Sequence, residues 1–168
     1  MPLKLKVFLW LAFEDRLQTG VVLKKRNWKG DERCVVCRKK KRVWITSSLS
    51  VLLPNLWEVL GWERAPFSLS DFLAHWIPDQ CTGFNVKMFH FAIVGWGLWT
   101  NRNKMAIEHC FPASSIDIPH KIDFFSQKWG ILLPEGNRLK LENHRVRLVD
   151  WVRQNISAMR REALGDPF

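Results

Sequence analysis

Apolar residues recur at helical spacing along most of the chain and nowhere alternate convincingly over more than a few positions, so the pattern predicts a mainly α fold. Leu3 to about Leu17 and Thr19 to Arg26 read as two short helices hinged near Gly20. In the first, Phe8, Leu9, Trp10, Leu11 and Ala12 crowd together, which predicts burial on more than one side. Asn55 can cap a short helix through about Leu60, stopped at Gly61. Ser70 can cap another within Ser68 to Trp76, and Pro78 forbids its continuation. The strongest helix runs from Asn85 to roughly His109, with Phe89, Ile93, Trp96 and Thr100 recurring on one stripe. Gly95 and Gly97 weaken it by about 1 kcal/mol each relative to Ala, so tertiary burial must hold it. A further helix spans Ser115 or Asp117 to Trp129 and closes at Gly130. The last, Leu139 to Leu164, carries Leu141, Leu148, Val149, Val152, Ile156 and Ala163 on one face. Its other face is rich in Arg138, Lys140, Arg145, Arg147, Arg153, Arg160 and Arg161.

Between the second and third of these segments the helical pattern breaks. Trp28-Lys-Gly30 leads into Cys34-Val-Val-Cys37, then the basic run Arg38 to Arg42, then a serine-rich stretch ending at Pro54. The expected architecture is a small multi-helix domain with a turn-rich Cys-x-x-Cys loop and a long amphipathic C-terminal helix. A length of 168 residues allows one domain, or a small domain with a helical extension. The 47% hydrophobic share argues against wholesale disorder. Against that core-forming content stand 26 Lys and Arg and only 16 Asp and Glu, a net charge of +10, which favours polyanionic partners without specifying a mechanism.

The start of the chain mimics a signal peptide, with Lys4 and Lys6 ahead of Val7 to Phe13, but Glu14, Asp15 and Arg16 follow without a small-residue cleavage site. The longest uncharged stretch, Met88 to Asn101, is short of the roughly 20 residues a membrane span needs. An intracellular location, nucleus or cytoplasm, is therefore expected, with no membrane partner and no small-molecule substrate. Four cysteines, Cys34, Cys37, Cys81 and Cys110, are too few and too unevenly spaced for a disulfide framework.

Cys34 and Cys37 place two thiolates on one tight turn, half of what a tetrahedral zinc requires. No His or Cys follows before His75; His75, Cys81, His90 and the pair His109-Cys110 are the later candidates. The alternative is two ordinary surface thiols. For phosphate contact the candidates are Lys24, Lys25, Arg26, Arg38, Lys39, Lys40, Lys41 and Arg42, with the cationic face of the last helix assisting. The run Lys39 to Val43 also resembles a short nuclear localisation signal, against the plain reading of a solvated loop. Phe89, Trp96 and Trp99 could stack bases, but their spacing in an apolar segment favours a core role. Asp71, Asp79, Glu58 and Glu63 have no metal-binding spacing, no Gly-rich phosphate loop is present, and no nucleophile with a base can be nominated, so a non-enzymatic chain is expected.

Pro2 to Trp10, Arg16-Leu-Gln-Thr19, Leu23 to Arg26, Trp28-Lys-Gly30 and Cys34-x-x-Cys37 together resemble the reverse transcriptase zinc-binding domain that follows the polymerase in plant non-LTR (LINE-type) retrotransposon polyproteins. Phe91 to Asn103, with Trp96, Trp99, Arg102 and Asn103, resembles the Trp-x-x-Trp-x-x-Arg-Asn stretch in their C-terminal tails. The resemblance implies a zinc-binding-like region at 1–60, a helical C-terminal region at 61–168, possible Zn, and a nonspecific RNA- or DNA-binding accessory role. It departs from the family after Cys37, where the family's His-Leu-x-x-x-Cys segment is missing.

Synonymous codons can be chosen for residues 39–48 such that a one-base frame change spells Glu-Glu-Glu-Ser-Val-Asp-His-Leu-Phe, which is similar to the missing segment. Family-like text resumes at Leu56, so a compensating shift is expected before it. The implied protein is a degenerate retrotransposon remnant. The alternative is a protein–protein interaction or scaffold module built on its Trp-rich helices.

Overall fold

The computed structural model describes residues 1–14, 16–18, 20–27, 29, 56–60, 83–112, 114 and 116–164, and side chains of the last helix through residue 156. Those residues form six α-helices: α1 (Leu3–Phe13), α2 (Gly20–Lys24), α3 (Leu56–Val59), α4 (Phe84–Asn103), α5 (Asp117–Gly130) and α6 (Glu135–Leu164). A π-helical turn, Lys104–Glu108, extends α4. No strand occurs among the described residues, and the fold is mainly α. The helix expected over Ser68 to Trp76 and the whole segment from Asp31 to Asn55, including the Cys-x-x-Cys loop, lie outside the described residues.

α4 is the central element. Val86, Phe89, Phe91, Ala92, Ile93, Val94 and Leu98 are buried and point around its whole circumference, so α1, α5 and α6 all find apolar surface on it. The two glycines are buried in this contact, as their cost in helix propensity requires. A Cβ on Gly97 would stand 3.4 Å from Ile122 Cγ1, so the small residue lets α5 approach closely. At the other end Gly83 takes φ 97°, a left-handed conformation that glycine adopts without strain, and its carbonyl accepts from Val86 and Lys87 N–H to start the helix.

α1 docks on α4 through Leu5, Phe8, Leu9 and Ala12, an i, i+3, i+4, i+7 face, and the Phe8 ring meets Trp96 edge-on at 5.7 Å. Burial on more than one side does not occur: Trp10 is 53% exposed, and Leu3 and Val7 are also outside. The 100° step per residue places Leu3, Val7 and Trp10 opposite the buried stripe, so one partner helix cannot cover both. α1 also ends at Phe13, earlier than the expected Leu17, with Glu14 at its C-cap.

α5 packs Ile118, Ile122 and Trp129 inward, and Phe125 stacks on Trp129 at 4.7 Å. α6 packs against α5, and its Leu141, Leu148 and Val152 are buried. It begins at Glu135, four residues before the expected Leu139, because Pro134 supplies the first accepting carbonyl, for Asn137 and Arg138, and Glu135 favours the positive helix N-terminus. Ile156, placed on the buried face by its spacing, is 39% exposed.

Arg138 fastens the turn between α5 and α6: its Nε and a terminal nitrogen donate to the carbonyls of Leu133 and Ile131, each at 2.8 Å. Replacing Arg138 with Ala is expected to lower stability by about 1 kcal/mol in urea unfolding, since two charge-assisted bonds in a partly wet setting are lost. An unchanged midpoint would mean that the turn holds without them.

Candidate functional site

The cationic candidates divide sharply. Lys24 ends α2, and Lys25 and Arg26 follow in the turn; all three are exposed. Asn27 closes that turn at φ 61°, a left-handed conformation Asn tolerates. Arg38, Lys39, Lys40, Lys41 and Arg42 lie outside the described residues.

On α6 the expected open cationic face is partly spent on the fold. Arg145 donates from Nε to Asp123 of α5 at 2.8 Å and also pairs with Glu142. Burial pulls its pKa down, but the bond and charge of Asp123, with Glu142 adding, more than offset this and hold it above the ordinary guanidinium value. Arg138 is committed to the turn. Lys140, Arg147 and Arg153 remain exposed, the last 3.6 Å from Asp150, while the side chains of Arg160 and Arg161 lie outside the described residues.

The aromatic candidates behave as their spacing indicated. Phe89 is buried, while Trp96 and Trp99 are half-buried against the core. Arg102 sits 5.5 Å from the Trp99 ring centroid and donates to the Gln18 carbonyl at 3.0 Å and to Asn103 Oδ1 at 3.1 Å. It pairs, as a polar residue at that helix end should, and thereby ties the segment after α1 to the end of α4. Arg16 of that segment lies 5.7 Å from the Trp10 ring centroid.

Cys34 and Cys37 lie outside the described residues, as do His75 and Cys81. Of the later candidates, His109 and Cys110 are exposed just beyond the π-helical turn, where His109 takes φ 55°. His90 is buried inside the bundle instead, its Nδ1 3.2 Å from Nδ1 of His144 on α6, the rings 18° from parallel. Burial first, and His144 second, push the His90 pKa down to about 3; burial and then Arg147 lower that of His144. No group of three or more metal-ligating side chains forms among the described residues.

One further polar contact and one cleft were not legible in the sequence. Lys121 of α5 donates to Asn101 Oδ1 at 3.3 Å, its pKa lowered by burial and then by Lys104. A shallow cleft of about 370 Å³ between α5 and α6 is lined by Ser126, Gln127, Arg138, Glu142 and Arg145. Its two arginines are already paired with protein acceptors, so nothing marks it as a catalytic pocket.

No curated protein and no solved structure matches this chain. One protein family does, over the segment that holds α1, α2 and the Cys-x-x-Cys: residues 1–45 match the family described as zinc-binding in reverse transcriptase.

Proposed function

We propose that this chain is a non-enzymatic remnant of a plant LINE-type reverse-transcriptase polyprotein, retaining at most a nonspecific nucleic-acid-binding role. The match over residues 1–45 carries this reading, because it covers the Cys-x-x-Cys and the first cationic cluster in one stretch. The +10 charge and the exposure of Lys24, Lys25, Arg26, Lys140 and Arg147 support it. Zinc, where held, takes Cys34 and Cys37 as two of its ligands; the cationic run beside them opposes the metal. The exposed Ile131, Leu132 and Leu139 near the α5–α6 turn favour, as a second reading, a protein-docking module.

Binding of a labelled single-stranded RNA to the full chain tests the first reading. Affinity is expected to fall by an order of magnitude or more between roughly 50 and 200 mM salt, as counterion release demands for several phosphate contacts. Salt-independent binding, or none at low salt, is incompatible with it. Metal analysis of the purified chain is expected to give zinc well below one atom per chain, and a full equivalent overturns the loss of the knuckle. Codons for Lys39 to Leu56 whose other frames spell no His-Leu and Cys exclude the frame-change origin.

A further inference from the structure

We propose that the outer side of the C-terminal half of α1, Trp10 with the Arg16 guanidinium over its indole, is a base-stacking site for single-stranded nucleic acid. The proposal rests on the nucleic-acid reading above and assigns it a strand type and a residue. Trp10 is the one tryptophan among those described with side chains that is mostly solvent-facing, at 53% exposure. Burying an indole is strongly favourable, and an unburied one beside a cation is the arrangement with which proteins hold unpaired bases.

Three features of the surroundings suit a strand of nucleotides. Arg16 lies 5.7 Å from the ring centroid, positioned for both cation–π contact and a phosphate. Lys6 is one turn before Trp10 and exposed, so cations flank the ring along the helix; Glu14, one turn after it, is the acid on that stripe. The segment carrying Arg16 is also pinned, because Arg102 at the end of α4 donates to the Gln18 carbonyl at 3.0 Å while lying over Trp99. Arg16 is thereby presented from an anchored segment, and the exposed Lys24, Lys25 and Arg26 follow it eight to ten residues along the chain. A duplex hides the faces of its bases, whereas a single strand offers them, so stacking on Trp10 selects unpaired strands.

Fluorescence anisotropy of the full chain with labelled oligo(dT) and with a duplex of equal length, at one low salt concentration, tests this. Trp10→Ala is expected to bind the single strand about ten-fold more weakly and the duplex unchanged, Trp10→Phe to recover most of the loss, and Arg16→Gln to weaken both. The outward position of Trp10 leaves the fold intact, which circular dichroism verifies. Equal affinity of Trp10→Ala and the unsubstituted chain for oligo(dT) overturns the stacking site while leaving general nucleic-acid binding standing. Absence of binding by the unsubstituted chain overturns both. A salt-insensitive oligomer that Trp10→Ala dissolves assigns this face to a protein partner and also overturns the proposal.

Discussion

Lowering the pH from 7 to 5 is expected to cost the folded chain about 2 kcal/mol through His90 alone. The ring is buried against His144, with its folded pKa at about 3 against an unfolded value of 6.5. Between those two values the unfolded chain binds a proton that the folded chain refuses, so stability is complete above pH 6.5 and declines as the pH falls towards 3. His144 acts in the same direction, lowered by burial and by Arg147. One Nδ1–H donates to the other Nδ1 across the 3.2 Å contact, so the neutral pair ties α4 to α6; protonating the accepting Nδ1 breaks that tie, and a proton on either ring puts a charge where the rings are desolvated. Carboxylates titrate mainly below pH 5, so the window from 7 to 5 reports on histidine. Urea unfolding at a series of pH values is expected to give a slope approaching 1.4 kcal/mol per pH unit below pH 6. In His90→Leu the slope flattens to what His144 leaves, and His144→Gln flattens it partly. Identical slopes in all three chains would show that the pair is not what titrates.

That pair marks the limit of what periodicity reveals. Phe89, Ile93 and Trp96 announce α4 because their spacing is a property of the helix itself, and the buried Gly97 follows once a neighbour must come close. His90 meets His144 across 54 residues, and no local pattern encodes a partner that distant. The same holds for Arg145, which reads as one more cation on a polar face until Asp123 on the neighbouring helix is seen beside it. α6 was legible from its apolar stripe but not in its first turn, where the stripe is absent and the signal is Pro134 followed by Glu135. The candidate site was legible as chemistry and not as place. Lys24, Lys25 and Arg26 are exposed as a basic cluster should be, and the Cys-x-x-Cys was read from its spacing alone. The most exposed tryptophan among those described with side chains is one that the pattern buried. Trp10 sits in a run of five apolar residues, and an apolar run cannot say which of its members a single docking surface will leave outside.

Two substitutions on α1, two positions apart, are expected to separate structure from surface. Phe8→Ala removes a ring that is 2% exposed and meets Trp96 edge-on, and it opens a void where α1 crosses α4; the expected loss is about 3–5 kcal/mol. That is a large part of the roughly 5–15 kcal/mol that holds a domain of ordinary stability together. Trp10→Ala removes a larger side chain from the opposite face, yet with the indole half in water its expected effect on stability is within about 0.5 kcal/mol. Thermal or urea unfolding of the two variants reads the difference directly. A Trp10→Ala chain as unstable as Phe8→Ala would mean that the outer stripe of Leu3, Val7 and Trp10 is covered in solution. In that event its apolar character belongs to packing and not to recognition. The expected order, with Phe8→Ala severe and Trp10→Ala mild, leaves that stripe with no structural task large enough to explain an exposed tryptophan. A residue that stability does not need, flanked by Lys6 and Arg16 on a chain of net charge +10, is then the place where the proposed stacking contact can be tested apart from the fold.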